Sequence, residues 1–125
     1  MKYISVEYIL KLHEKMINTT GGSHGIRDIN LLKSAIENSK ATFDGQDLYP
    51  EIQDKCANIC FNIINDHPFV DCNKRTGLYV MLILLEYNKI EIKFTQGELI
   101  DMGLDIAKGE LKQEGIVLWI KSHVV

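Results

Sequence analysis

Residues 66–77 read DHPFVDCNKRTG, and the nine from His67 to Arg75 bring together an imidazole, a carboxylate, an amide and two cations. The chemistry open to such a set is phosphoryl or nucleotidyl transfer. That reaction asks a protein mainly for positioning and for neutralisation of phosphate charge. Imidazoles titrate near neutral pH, so His67 is a candidate base for an attacking hydroxyl. Asp71 can hold Mg²⁺, which takes one or two carboxylates together with phosphate oxygens and water. Asn73, Lys74 and Arg75 fall at the expected start of a helix. Unsatisfied N–H groups and the positive end of the dipole already favour anions there. Each residue also has a structural alternative. His67 can bond a carbonyl at a helix end, and Asp71 can cap the next helix. Asp71, Glu51 or a solvent anion can offset the two cations. Phe69 reads as an apolar anchor pinning the loop, and Cys72 as a small residue that permits close backbone approach.

Such a loop needs a scaffold, and the chain supplies one. With 125 residues, 46% hydrophobic and 25% charged, it suits a single domain with a real core. A net charge of −3 argues against a broad nucleic-acid surface, while leaving room for a local phosphate site. The longest apolar run, Leu78 to Leu85, is far too short for a bilayer, and the N-terminus lacks a signal-peptide pattern. No membrane partner is expected. Cys56 and Cys60 sit four apart, which suits one helix face and not a CxxC site. Buried free thiols and a cytoplasmic location follow.

The periodicity predicts helices throughout. Ser5 caps the first, with Val6, Ile9, Leu10, His13, Met16 and Ile17 on one stripe and a stop near Asn18. His13 reads there as a satisfied core or boundary histidine. Asp28 caps a second helix to Asn38. SKATFDGQDLYP contains a DG turn signal and reads as a loop or short hairpin flap. Pro50 suits the first position of a third helix, lined by Ile52, Cys56, Ile59, Cys60 and Ile63. His67-Pro68 interrupts the pattern. A central buried helix covers 74–87, because 78–85 is apolar nearly all round. IEIKF alternates as a short extended piece. Thr95 and Glu98 open a fifth helix to about Lys108 as a capping box. A sixth covers about Gly115 to Ser122, with Trp119 and Ile120 inward. The expectation is an all-α domain of about six helices wrapped on residues 74–87.

His67-Pro68-Phe69-Val70-Asp71-Cys72-Asn73-Lys74-Arg75 resembles the signature of the Fic/Doc family, HxFx(D/E)xN followed by K-R or G-R. The lysine form is similar to the Doc (death-on-curing) branch. GIRDINLLKSAIE (25–37) and ATFDGQDLYP (41–50) look like Doc-family segments too, so the likeness covers about residues 4–122. It implies His67 as general base, Asp71 as the Mg²⁺ ligand, and Asn73, Lys74 and Arg75 on the phosphates of ATP or another nucleoside triphosphate. It also implies a flap near 41–49, including Thr42, Phe43, Asp44 and Gly45, that aligns a target segment by strand-like pairing. A Doc kinase passes the γ-phosphate to a threonine of elongation factor Tu, halting translation, and is paired with a Phd-type antitoxin. An adenylyltransferase of the same fold is the alternative activity. A non-catalytic anion-binding module is the alternative of another class. Cys72 stands where the family usually has glycine or alanine. No (S/T)xxxE(G/N) inhibitory motif is present, which points to control by a separate antitoxin.

Overall fold

The computed structural model describes all 125 residues. Six helices follow in order: α1 (Val6–Thr20), α2 (Ile29–Asn38), α3 (Ile52–Asp66), α4 (Asn73–Tyr87), α5 (Gln96–Ala107) and α6 (Gln113–His123). Between α2 and α3 stands an antiparallel hairpin, β1 (Thr42–Phe43) and β2 (Gln46–Asp47), with Thr42 opposite Asp47 and Phe43 opposite Gln46. Its turn residues, Asp44 and Gly45, both have positive φ, as the favoured two-residue hairpin turns require.

The caps sit where the sequence places them. The Ser5 hydroxyl accepts from the Tyr8 N–H, and the Asp28 carboxylate from the Asn30 N–H. Thr95 and Glu98 bond reciprocally across the first turn of α5. Three boundaries differ. Helix α1 runs on to Thr20, because the hydroxyls of Thr19 and Thr20 bond back to the carbonyls of Lys15 and Met16; it stops at Gly21, φ 88°. Pro50 lies one residue ahead of the cap of α3, not at its first helical position. Glu51 is the cap, and its N–H donates to Asp54. Helix α6 starts at Gln113, two residues before Gly115. The IEIKF segment is extended only as a bridge, Ile92 to Val124.

No residue from Leu78 to Leu85 is exposed, so α4 is central as expected. It shares that place with α3, which packs against α2, α4, α5 and α6. Its inward residues include Cys56, Ala57 and Cys60, small enough to let neighbours close in from several sides. Gly77 sets the α3–α4 spacing: a Cβ there would lie 2.8 Å from Ile64 Cγ1 and 3.1 Å from the Cys60 carbonyl oxygen. The thiols of Cys56 and Cys60 are free and buried; burial pushes Cys56 up to about 12 and Cys60 higher still, so both stay inert. No helix is long and apolar enough to cross a membrane.

Candidate active site

The site is built where α3 hands over to α4. Helix α3 ends on His67 in the left-handed region, φ 52° and ψ 62°. Helix α4 begins after Cys72, also left-handed at φ 64° and ψ 30°, with no side-chain cap. Two non-glycine residues in that region cost on the order of 1 kcal/mol each, so something outside the loop must hold it.

The connection between α1 and α2 does so. Arg27 donates from Nε to the His67 carbonyl and from an Nη to the Asp66 carbonyl, both at 2.6 Å. The N–H groups of Arg27 and Asp28 donate to the Pro68 carbonyl at 2.8 and 2.9 Å, and Val70 N–H donates to Gly25 O at 3.1 Å. Ser23 N–H reaches the Asp71 carboxylate at 2.9 Å. Gly22, φ +118°, lets this connection pass closely, because a Cβ there would sit 2.9 Å from Asp71 Oδ2.

From below, Phe69 is buried as the expected anchor, and the His13 ring stacks on it at 3.9 Å and 7°. Nε2 of His13 lies 2.8 Å from the Asp71 carbonyl oxygen, which can only accept, so that nitrogen carries the hydrogen. His13 is thus a satisfied core histidine, as its place on the apolar stripe suggests.

Asn73 is committed to the loop. Its Oδ1 accepts from Phe69 N–H and its Nδ2 donates to Phe69 O, each at 2.9 Å. The same Nδ2 lies 3.4 Å from His67 Nδ1. The side-chain amide is thus engaged by the loop and the imidazole, while the backbone N–H of Asn73 has no protein acceptor.

Asp71 is not the cap of α4; Cys72 holds that position. Its two carboxylate oxygens accept from Ser23 N–H and Cys72 N–H. Those two bonds, then the charges of Arg75 and His13, hold the carboxyl below its usual 3.8. Each oxygen keeps further lone-pair capacity. An ionised carboxylate with spare oxygens beside two cations fits Mg²⁺ shared with phosphate oxygens.

His67, Val70, Asp71, Cys72, Asn73, Lys74 and Arg75 line one cleft of about 360 Å³. A groove of about 750 Å³ by Tyr3, Ile83 and Tyr87 is larger, yet it lies at the other end of α4 and lacks this chemistry. No protein group accepts from the N–H groups of Asn73, Lys74 and Arg75. Lys74 makes no ion pair, and its stem lies against Gly103 of α5. Arg75 donates to the Thr20 hydroxyl and sits beside Asp71. Glu51 is occupied elsewhere, 2.9 Å from Lys121, so it does not offset these cations. The hairpin residues Thr42, Phe43, Asp44 and Gly45 are exposed and none lines the cleft.

Sequence reasoning passed over Arg27, Ser23 and the structural part played by Gly22. Long-range backbone bonds leave no local periodic mark.

The chain is 35% identical over 72 residues to the Mycolicibacterium smegmatis protein named Toxin Doc, a match covering 58% of this chain and about half, 55%, of that protein. It is 30% identical over 119 residues to the protein of Escherichia phage P1 named Protein kinase doc, covering 93% of this chain and 90% of the phage protein. The Fic/DOC family model matches residues 3–85, well over half the chain, around a cleft whose loop carries the HxFxDxN pattern. This chain belongs to the Fic/DOC family.

Proposed function

We propose that the chain is a Doc-type toxin kinase that passes the γ-phosphate of ATP, or another nucleoside triphosphate, to a protein hydroxyl. By resemblance the acceptor is a threonine of elongation factor Tu, and the effect is arrest of translation in the cytoplasm. One observation carries the reading. At the start of α4, three unpaired N–H groups, two basic side chains, an ionised carboxylate and an exposed imidazole share one cleft.

Lys74, Arg75 and the free N–H groups would bind the phosphates, since dipole and side-chain charge act in one direction. Asp71 would hold Mg²⁺, whose charge helps neutralise the phosphates. His67 takes the hydroxyl proton on its imidazole. The freed oxygen bonds to the γ-phosphorus, the bond from that phosphorus to the β–γ bridging oxygen breaks, and ADP leaves. Asn73 and Arg27 position His67 rather than contact substrate. The exposed hairpin is suited to pair with an extended target segment. Restraint falls to a separate antitoxin of Phd type, since the chain carries no inhibitory motif of its own.

The test is incubation with elongation factor Tu, Mg²⁺ and ATP labelled at the α or γ position. Label from the γ position alone is expected on the factor. Incorporation of α-label overturns the kinase reading in favour of adenylyl transfer. Absence of both labels rejects this acceptor and donor pair.

A further inference from the structure

Lys55, in the first turns of α3, is 8% exposed and is the one buried residue carrying a lysine, arginine or carboxylate charge. Burying a cation is costly unless it is paired and hydrogen-bonded. Its Nζ lies 3.3 Å from the Ser39 carbonyl oxygen, where α2 ends, and 3.3 Å from Asp47 Oδ2 in β2. Ser39 is itself fully buried.

The hairpin has little else to hold it. All six residues from Thr42 to Asp47 are exposed, and Phe43 is 76% exposed. Leu48 N–H closes the hairpin base on Ala41 O, but residues 42–47 make no other hydrogen bond to the helices. A two-stranded hairpin this short is marginal by itself. Its orientation on the helical body therefore depends on one charged contact.

We infer that the Lys55–Asp47 pair is a latch that fixes the hairpin in a receptive position, making Lys55 and Asp47 positioning residues for docking of the target protein. The inference rests on the kinase reading for the identity of the target, and on the geometry alone for the latch. A preordered hairpin has less conformational freedom to lose when a target strand pairs with it. The latch acts on docking and not on the chemical step, because neither residue lines the cleft.

Amide hydrogen exchange of the full chain reads the latch directly. The Asp47 side chain is 49% exposed, so Asp47→Asn leaves the core intact. Exchange at residues 42–47 is expected to rise about tenfold in Asp47→Asn, with α3 and α4 unchanged. Lys55→Met, which keeps the apolar stem, should do the same, and the double variant should go no further. Unchanged hairpin exchange in Asp47→Asn overturns the latch. With elongation factor Tu as acceptor, Asp47→Asn is expected to raise KM for that protein about tenfold while kcat and the KM for ATP hold. A loosened hairpin with an unmoved acceptor KM overturns the positioning role. Should wild type transfer no label, this acceptor and donor pair is rejected while the exchange data still decide the latch.

Discussion

Two histidines at two helix ends show how similar parts become different things. His123, in the last turn of α6, lies 2.7 Å from Glu98 through Nε2 and 2.7 Å from the Trp119 carbonyl oxygen through Nδ1, and stacks on the Trp119 ring at 4.1 Å. These two partners are acceptors, so both ring nitrogens are placed to donate, an arrangement that favours the protonated ring. The hydrogen bond to Glu98 and then the one to Trp119 raise its pKa. His67 has no carboxylate partner. Its Nδ1 faces the Asn73 amide nitrogen, a donor, and the ring is exposed in a cleft lined by Lys74 and Arg75. A histidine saturated by acceptors is structural. One that no carboxylate or carbonyl engages, and that stands exposed in the cleft, is left to face a substrate.

The sharpest test of that contrast exchanges each ring for a methyl group. His67→Ala is expected to lower kcat for transfer by about 10²–10⁴-fold, with thermal stability unchanged. His123→Ala should do the reverse, lowering Tm and leaving kcat within about twofold. Loss of transfer in the second variant would break the comparison. Phe69→Ala probes the support beneath the loop between α3 and α4. Its ring is 1% exposed and stacked on His13, so urea denaturation should show a loss of about 3–5 kcal/mol.

A smaller effect lies in pH. Glu98 is pulled to about 2 by the His123 hydrogen bond and then by Thr95, while His123 is raised. Glu98 supports the fold fully above its ordinary 4.5, and that support fades as pH falls toward 2. His123 supports it fully below its ordinary 6.5, and that support is lost as pH rises through the higher folded value. Wild type should therefore exceed Glu98→Gln in Tm most between these ordinary values, with the gap narrowing on either side. A gap that is flat with pH would show the pair to be inert. The smallest change is expected at Cys72. Glycine accepts φ 64° without the steric cost that cysteine bears, so Cys72→Gly should raise stability by up to about 1 kcal/mol and leave transfer intact. A drop in either would show that the thiol packs usefully against Gly22.

Much of this site is readable in one dimension because its parts are contiguous. His67, Asp71, Lys74 and Arg75 fall in one loop and one first turn, so chain contiguity keeps them near one another, and they line one cleft. The capping box at Thr95 and the DG turn of the hairpin are legible for the same reason, as each is satisfied within four residues. Asn73 was harder to read. Its type suited a phosphate, but the loop folds back so that Phe69 takes both ends of its amide. The sequence shows α3 as one apolar stripe, because Lys55, Ala57 and Asn58, which are buried beside that stripe, add little hydrophobicity of their own.

Residue order alone determined the six helical segments, the caps at Ser5, Asp28 and Thr95, and the gathering of imidazole, carboxylate and cations before a greasy helix. These depend on spacing along the chain, which backbone geometry converts directly into a shared face or a shared end. Only the tertiary structure decided that residues 22–28 brace the loop, that His13 supports Asp71 from below, and that Lys55 reaches across to hold the hairpin. Those contacts join positions 8 to 58 residues apart. Their partners are mostly backbone carbonyls and N–H groups, which every residue carries and which no sequence pattern marks.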